Sequence, residues 1–299
     1  MLIGTQTDFP IGTFGISDGL KLIADSGFDA LDYSLFIYRW DEEPFSLKGA
    51  DYDRYFERVL GEVKKNGLFV NQTHSPFPTY RGNAANDAEN REIQARTIRA
   101  TALLESKYVV IHPAMEKRRK FGEFREEMKK INIDMYTYLA DYLKEYDVYC
   151  CIENMFSHDS QTDRICPTAC TTAEEMCDYI DTLNDITHSD RFVACLDIGH
   201  ANLIRFDGYE KVNPVDMIYT LGDRLKTLHV HDNYGVHDDH MAPRCGNIDW
   251  KSVMEALRDI GYSGVFNLEA DATGYTFGKE AADITEPLLH RMAEWVLAQ

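Results

Sequence analysis

The run Cys195–Leu203, CLDIGHANL, ends an apolar stretch in an aspartate and places a histidine three residues later, with a glycine between them. A carboxylate and an imidazole so placed suit metal ligation or acid–base chemistry better than an ordinary turn. Comparable endings recur along the chain: His74 after LFVNQT, His112 after YVVI, Glu153 after VYCCI, His229 and His231 within LKTLHVHD, and Glu269 after GVFNL. A lone buried histidine is usually a hydrogen-bonded core group, but buried carboxylates require compensation. A shared divalent cation compensates all of them together. Imidazole and carboxylate without thiolate suit Mn, Zn, Co or Fe, and the residue types do not choose among these.

Positioning such groups together requires a repeating scaffold. Short β-branched or aromatic runs start at Leu2, Ala30, Leu68, Tyr108, Val148, Phe192, Leu225 and Gly264. Between them lie segments of helical period, including Asp51–Asn66, Asp87–Glu105, Phe121–Glu145 and Trp250–Ile260. Asn66-Gly67 and Gly261 read as helix stops, and Asp87 as an N-cap. The alternation predicts an α/β fold, a single (β/α)8 TIM barrel, with residues 1–299 as one domain. In such barrels reactive groups gather at the C-terminal ends of the strands, where the polar endings fall.

Composition narrows the function. The 299 residues, 44% of them hydrophobic, suffice for one barrel, and no apolar run reaches membrane-spanning length. The N-terminal MLIGTQTDFP lacks a signal peptide's basic start and apolar core, so a soluble, cytoplasmic protein is expected. Seven cysteines without a C-x-x-C pair suggest reduced thiols. A net charge of −19 disfavours nucleic acid and favours a small substrate. The one dense basic run, Lys117–Lys120, reads as a solvated lead-in to a helix or a grip for a sugar phosphate. Phe9, Phe14, Phe36, Tyr38, Trp40, Phe77 and Tyr80 follow the first three strands and could cover a sugar ring or serve a homo-oligomer contact.

The motifs IEN with Glu153, CLDIGH with Asp197 and His200, LHVHDN with His229 and Asp232, and FNLEA with Glu269 resemble the xylose-isomerase-like TIM barrels over nearly the whole chain. That superfamily includes sugar isomerases, sugar epimerases and endonuclease IV. The resemblance implies one metal held by Glu153, Asp197, His229 and Glu269, with His200 facing substrate. Strand alternation puts His229 and His231 on one face, and the resemblance favours His229 as ligand and His231 as a contact to the ligands or to substrate. It also implies a sugar contact at Asp159. Gly235 stands where the ketose epimerases carry an arginine, which sets this chain's substrate apart. The residues His74, His112, His200, Asp238 and His240 match the additional ligands of endonuclease IV.

Two reaction classes follow from the resemblance. In a metal-dependent sugar isomerase or epimerase, Glu153 and Glu269 act as acid and base beside a carbonyl, through an enediolate. In an endonuclease-IV-like multi-zinc phosphodiesterase, clustered metals activate water, and the acidic charge balance argues against it. Relatives acting on keto-sugar glycosides form a further variant of the first class.

Overall fold

The sequence's eight apolar runs form eight parallel strands in a computed structural model, which describes residues 1–115, 125–204 and 211–299. In chain order they are β1 (Ile3–Gln6), β2 (Ala30–Ser34), β3 (Phe69–His74), β4 (Tyr108–Ile111), β5 (Tyr149–Glu153), β8 (Phe192–Asp197), β9 (Leu225–His229) and β10 (Phe266–Leu268). A small antiparallel hairpin of β6 (Phe156–His158) and β7 (Ile165–Pro167) stands between β5 and β8. The sheet order β10-β1-β2-β3-β4-β5-β8-β9 is closed by a bridge between Val230 and Leu268. There the Val230 amide donates to the Asn267 carbonyl at 2.9 Å and the Glu269 amide to the Val230 carbonyl at 3.0 Å. This is a (β/α)8 barrel.

Helices return the chain between strands: α1 (Asp8–Asp25), α2 (Ala50–Lys65), α3 (Ala84–Leu103), α4 (Arg125–Tyr146), α5 (Ala173–Thr187), α6 (Ile198–Ala201), α7 (Pro214–Leu221), α8 (Trp250–Asp259), α9 (Ala272–Phe277) and α10 (Ala282–Leu297). Their starts follow side-chain chemistry. Thr172, Asn213 and Asp249 each accept a hydrogen bond from an amide in the first turn of the helix that follows. The expected cap at Asp87 is corrected. Asn83 caps α3, accepting from the Ala85 and Asn86 amides, while Asp87 lies inside the first turn and accepts from the Arg81 amide at 2.7 Å. Asn66 and Gly67 do end α2, with Gly67 at φ 73°. The basic run at Lys117–Lys120 lies outside the described residues.

Strand alternation sorts the side chains into two surfaces. One set, including Leu31, Tyr33, Val109, Ile111, Ile152, Leu196 and Leu228, packs with the helices in the main core. Each such side chain contributes roughly 1.5–3 kcal/mol by burial. Val110, Cys151, Val193 and Cys195 form a second, smaller apolar cluster. Two residues further along β5 and β8 stand Glu153 and Asp197, so the small apolar cluster underlies the polar ends of the strands.

Candidate active site

Parallel register brings the strand endings level. Asp197 is the partner of His229, Glu153 of Cys195, and Ser34 of His74. Glu153, Asp197, His229 and Glu269 each offer an atom within 4.8 Å of all the others, and all four are buried. His229 Nδ1 stands 3.2 Å from Glu153 Oε1 and 3.1 Å from Glu269 Oε2. Neither contact has hydrogen-bond alignment: His229 Nδ1, Glu153 Oε2, Asp197 Oδ2 and Glu269 Oε2 have no hydrogen-bond partner among the described residues. Buried polar atoms are rarely left so. One imidazole and three carboxylates, each offering an atom within 4.8 Å of the others, fit a divalent cation.

The other side of each group is held by protein. His229 Nε2 lies 2.9 Å from Asp32 Oδ2, which also accepts from Gln72 Nε2 at 3.0 Å. That carboxylate accepts the Nε2 proton and leaves the Nδ1 lone pair to the site. Gln6 Nε2 donates to Glu269 Oε1 at 2.9 Å. Asp197 Oδ1 accepts from the His200 amide at 2.6 Å and caps α6, so its second oxygen alone is left over. The spacing in DIGH is thus that of a cap, and it orients the Asp197 carboxylate. Asn154 exchanges two hydrogen bonds with the Asp197 backbone, at 2.7 and 2.9 Å, and its carbonyl accepts from His200 Nδ1 at 2.8 Å.

The additional histidines form two extensions. His74 and His112 bring Nε2 atoms to 3.6 and 3.0 Å from Glu153 Oε2. His200, His231, Asp238 and His240 form a separate set within the same 4.8 Å limit. There His240 Nε2 is 3.0 Å and His200 Nε2 3.6 Å from Asp238 Oδ2, and His231 Nε2 is 3.5 Å from Asp238 Oδ1 and 3.1 Å from Asp197 Oδ1. The His231 and His240 rings stack at 4.2 Å. His240 takes φ 44°, a left-handed conformation that costs a non-glycine residue energy.

Electrostatics keep these groups charged when no cation is present. Burial would raise Glu153 and Glu269, but His229 together with His112 beside Glu153, and with His240 beside Glu269, outweighs it and holds both carboxyls well below the usual range. Burial opposes the charged imidazole of His229, yet the neighbouring carboxylates, Glu269 and Glu153 among them, keep its pKa well above the ordinary value. His200 is pushed up to about 10, against burial, by Asp197 and Asp238. His112 moves the other way because burial prevails.

A cavity of 520 Å³ opens over these side chains. Gln6, Glu153, Asp238, Asp239, His240, Glu269 and Asp271 supply its polar wall, and Phe36, Phe77, Phe156 and Tyr275 its aromatic one. His74, His112 and His200 also reach it. His231 is fully buried behind it. Asp159 is not in its wall: Oδ1 accepts from the Gln161 and Thr162 amides, both at 2.9 Å, in the hairpin turn. Asp232 also serves the loop. Its two oxygens take the Asn233, Arg244 and Ile248 amides and the Trp250 indole, tying down the segment that presents Asp238 and His240. Gly235 turns that loop at φ 77°.

Sequence reasoning missed Gln6, Asp32, Gln72 and Asn154 as positioning groups. Each is a polar residue in or just after an otherwise apolar strand, a weak signal that was available in LIGTQT, ALDYS, LFVNQTH and IEN.

Comparison with known proteins agrees with this architecture. A D-psicose 3-epimerase of Enterocloster bolteae is 31% identical over 134 residues, covering 42% of this chain and 40% of that protein. The matches to three curated relatives span at most 62% of those relatives' own lengths. Among solved structures, a D-tagatose 3-epimerase-like protein superposes with a TM-score of 0.72 at 20% identity, covering 99% of this chain and 98% of that one. A 3-keto-D-glucoside 4-epimerase from E. coli gives 0.72 at 17% identity, with full coverage of both chains. The model of the xylose isomerase-like TIM barrel family matches residues 20–294, and the chain belongs to that family.

Proposed function

We propose that the protein is a divalent-metal-dependent sugar epimerase or isomerase that moves a proton beside a carbonyl. The observation that carries this reading is the convergence of Glu153, Asp197, His229 and Glu269, each with a buried polar atom left without a hydrogen-bond partner among the described residues, beside a cavity of sugar-accommodating size. Relatives named as sugar epimerases support the substrate class. A divalent ion held by these four residues would supply charge that offsets the negative oxygens of an enediolate. Glu153 and Glu269, kept ionised by the histidines around them, are the bases at hand. One takes the proton from carbon and the other returns it, with Gln6 fixing the orientation of Glu269. Phe36 and Phe77 supply an aromatic wall beside that transfer.

The test is solvent-deuterium incorporation across a keto-sugar panel, with metal content measured in parallel. Deuterium is expected beside the carbonyl, and Glu153→Gln and Glu269→Gln should each lower turnover by ~100-fold or more. Full activity in metal-stripped protein would sink the mechanism.

The set of His200, Asp238 and His240 favours a second reading, multi-metal phosphodiester hydrolysis. Against it stands the net charge of −19, which repels a phosphate backbone. Metal-dependent incision of abasic DNA, without any deuterium exchange into sugars, would reverse the preference.

A further inference from the structure

The four converging ligands do not use every carboxyl of the chamber. Two residues beyond Glu269, Asp271 enters the cavity wall, and Tyr275 follows it one helical turn later in α9. Two buried acids neighbour Asp271: Asp8 in the first turn of α1, 4% exposed, and Glu286 in α10, 3% exposed. Asp8 Oδ2 accepts from the Tyr275 hydroxyl at 3.3 Å, while its Oδ1 is buried with no hydrogen-bond partner among the described residues. Burial, and then the adjoining Asp271, push the Asp8 carboxyl up to about 8.

These three acids lack a strong counter-charge. Among the described residues, their ion pairs are limited to His240 Nδ1, 3.6 Å from Asp271 Oδ1, and that nitrogen gives its hydrogen to the Glu269 carbonyl at 2.9 Å. No lysine or arginine among the described residues lines the cavity. Carboxyls gathered out of water call for a positive partner. A single metal ion is a poor match, because Asp8, Asp271 and Glu286 do not converge within the 4.8 Å that unites the other ligand sets. An ammonium group suits the place better. Its three N–H donors can reach separated oxygens, and its charge is attracted to an aromatic face such as that of Tyr275, which is 57% exposed.

We propose that Asp271, backed by Asp8 and flanked by Tyr275, forms an ammonium subsite of the chamber, so that the substrate class is a keto sugar carrying an amino group. The inference rests on the sugar reading above and names the substituent that lies beyond the metal ligands. Asp271 and Tyr275 then determine specificity, since a neutral hydroxyl in the same place leaves Asp271 without a counter-charge.

Calorimetric titration of the metal-loaded protein at pH ~7, where a primary amine is largely protonated, reads the subsite without turnover. The probes are 1-amino-1-deoxy-D-fructose against D-fructose, and D-glucosamine against D-glucose. The amine of each pair should bind at least roughly ten-fold more tightly, because hydrogen bonds between charged groups exceed neutral ones. Asp271→Asn, which keeps the size and removes the charge, should shrink that ratio to about three-fold or less. Tyr275→Leu, at an exposed ring, should lower amine affinity by about three-fold and spare the neutral sugars. Equal affinity within both pairs in the native protein overturns the proposal. An undiminished ratio in folded Asp271→Asn also overturns it, since the amine would then sit on the metal, as does tighter binding of D-fructose 6-phosphate than of the amino ketose. Enzyme-dependent deuterium exchange separates the two layers of the argument. Exchange into neutral ketoses, with equal affinities in the titration, overturns the amine assignment alone. Amine selectivity that Asp271→Asn abolishes, with no exchange into any sugar, keeps the ammonium subsite but overturns the proton-transfer reading, and with it the assignment of a keto-sugar substrate.

Discussion

Asp32 is the most informative position to perturb, because it is fully buried and touches the proposed metal ligand only from behind. Asp32→Asn keeps the side chain's size and can still accept one hydrogen bond, but removes the charge opposite His229 Nε2. A hydrogen bond to a charged group contributes ~1.5–3 kcal/mol against ~1 kcal/mol for a neutral one. Loss of such a carboxylate behind a ligating histidine costs about 10–100-fold in metal affinity. Proton competition modifies the result in a known direction. The carboxylates hold His229 above its ordinary pKa, so the metal-free site carries a proton that binding must release. Wild-type affinity therefore rises with pH until that pKa is passed. Asp32→Asn lowers the pKa and eases proton competition, which hides part of the loss under acidic conditions. The wild-type to variant affinity ratio should widen between about pH 6 and pH 9. Competition titration of Mn or Co against a chromophoric chelator measures it, with far-ultraviolet circular dichroism confirming the fold. Equal affinities at about pH 8.5 in a folded variant would refute the argument.

Two further expectations concern stability and the second cluster. Glu286, buried in α10, is pushed up to about 7 by burial and by Asp271. The native state then holds an extra proton from the ordinary carboxyl pKa up to that value, so stability falls as pH rises through this window, by up to ~3 kcal/mol above it. Glu286→Gln should raise the denaturation midpoint at about pH 8 and leave it unchanged at about pH 4; parallel pH profiles for the two proteins would contradict this. At Gly199, an added Cβ would stand 1.9 Å from Cε1 and 2.3 Å from both nitrogens of His231. Gly199→Ala must displace that ring, costing ~1–3 kcal/mol and lowering the metal-to-protein ratio if the second cluster binds an ion. A variant with unchanged Tm and ratio would show that the ring has room to move.

Much of the fold was legible because it depends on local periodicity. Strand runs and helical stretches alternate along the chain, and both the barrel and the placement of polar groups at strand ends follow from that order. His74, Glu153, Asp197, His229 and Glu269 could be selected from residue type and strand position alone. The start of α3 was less legible, since Asn83 and Asp87 are both capable caps and only backbone conformation chooses between them.

What the linear chain could not decide is which atom of each side chain faces which neighbour. Asp159 and Asp232 carry the same carboxylate as Asp197, yet two of the three are occupied by loop amides, and only Asp197 keeps an oxygen facing the ligand cluster. Asp32 lies 197 residues before His229 in sequence and 2.9 Å from it in space, and Gln6 reaches Glu269 across 263 residues. His231 shares a strand direction with His229 but stands against Asp197 and His240. Closing the barrel brings these distant strand ends level and shuts out water, so each polar atom must take the partner that register and burial leave to it. The chain alone determines the supply of ligand-type residues, and barrel closure determines their pairing.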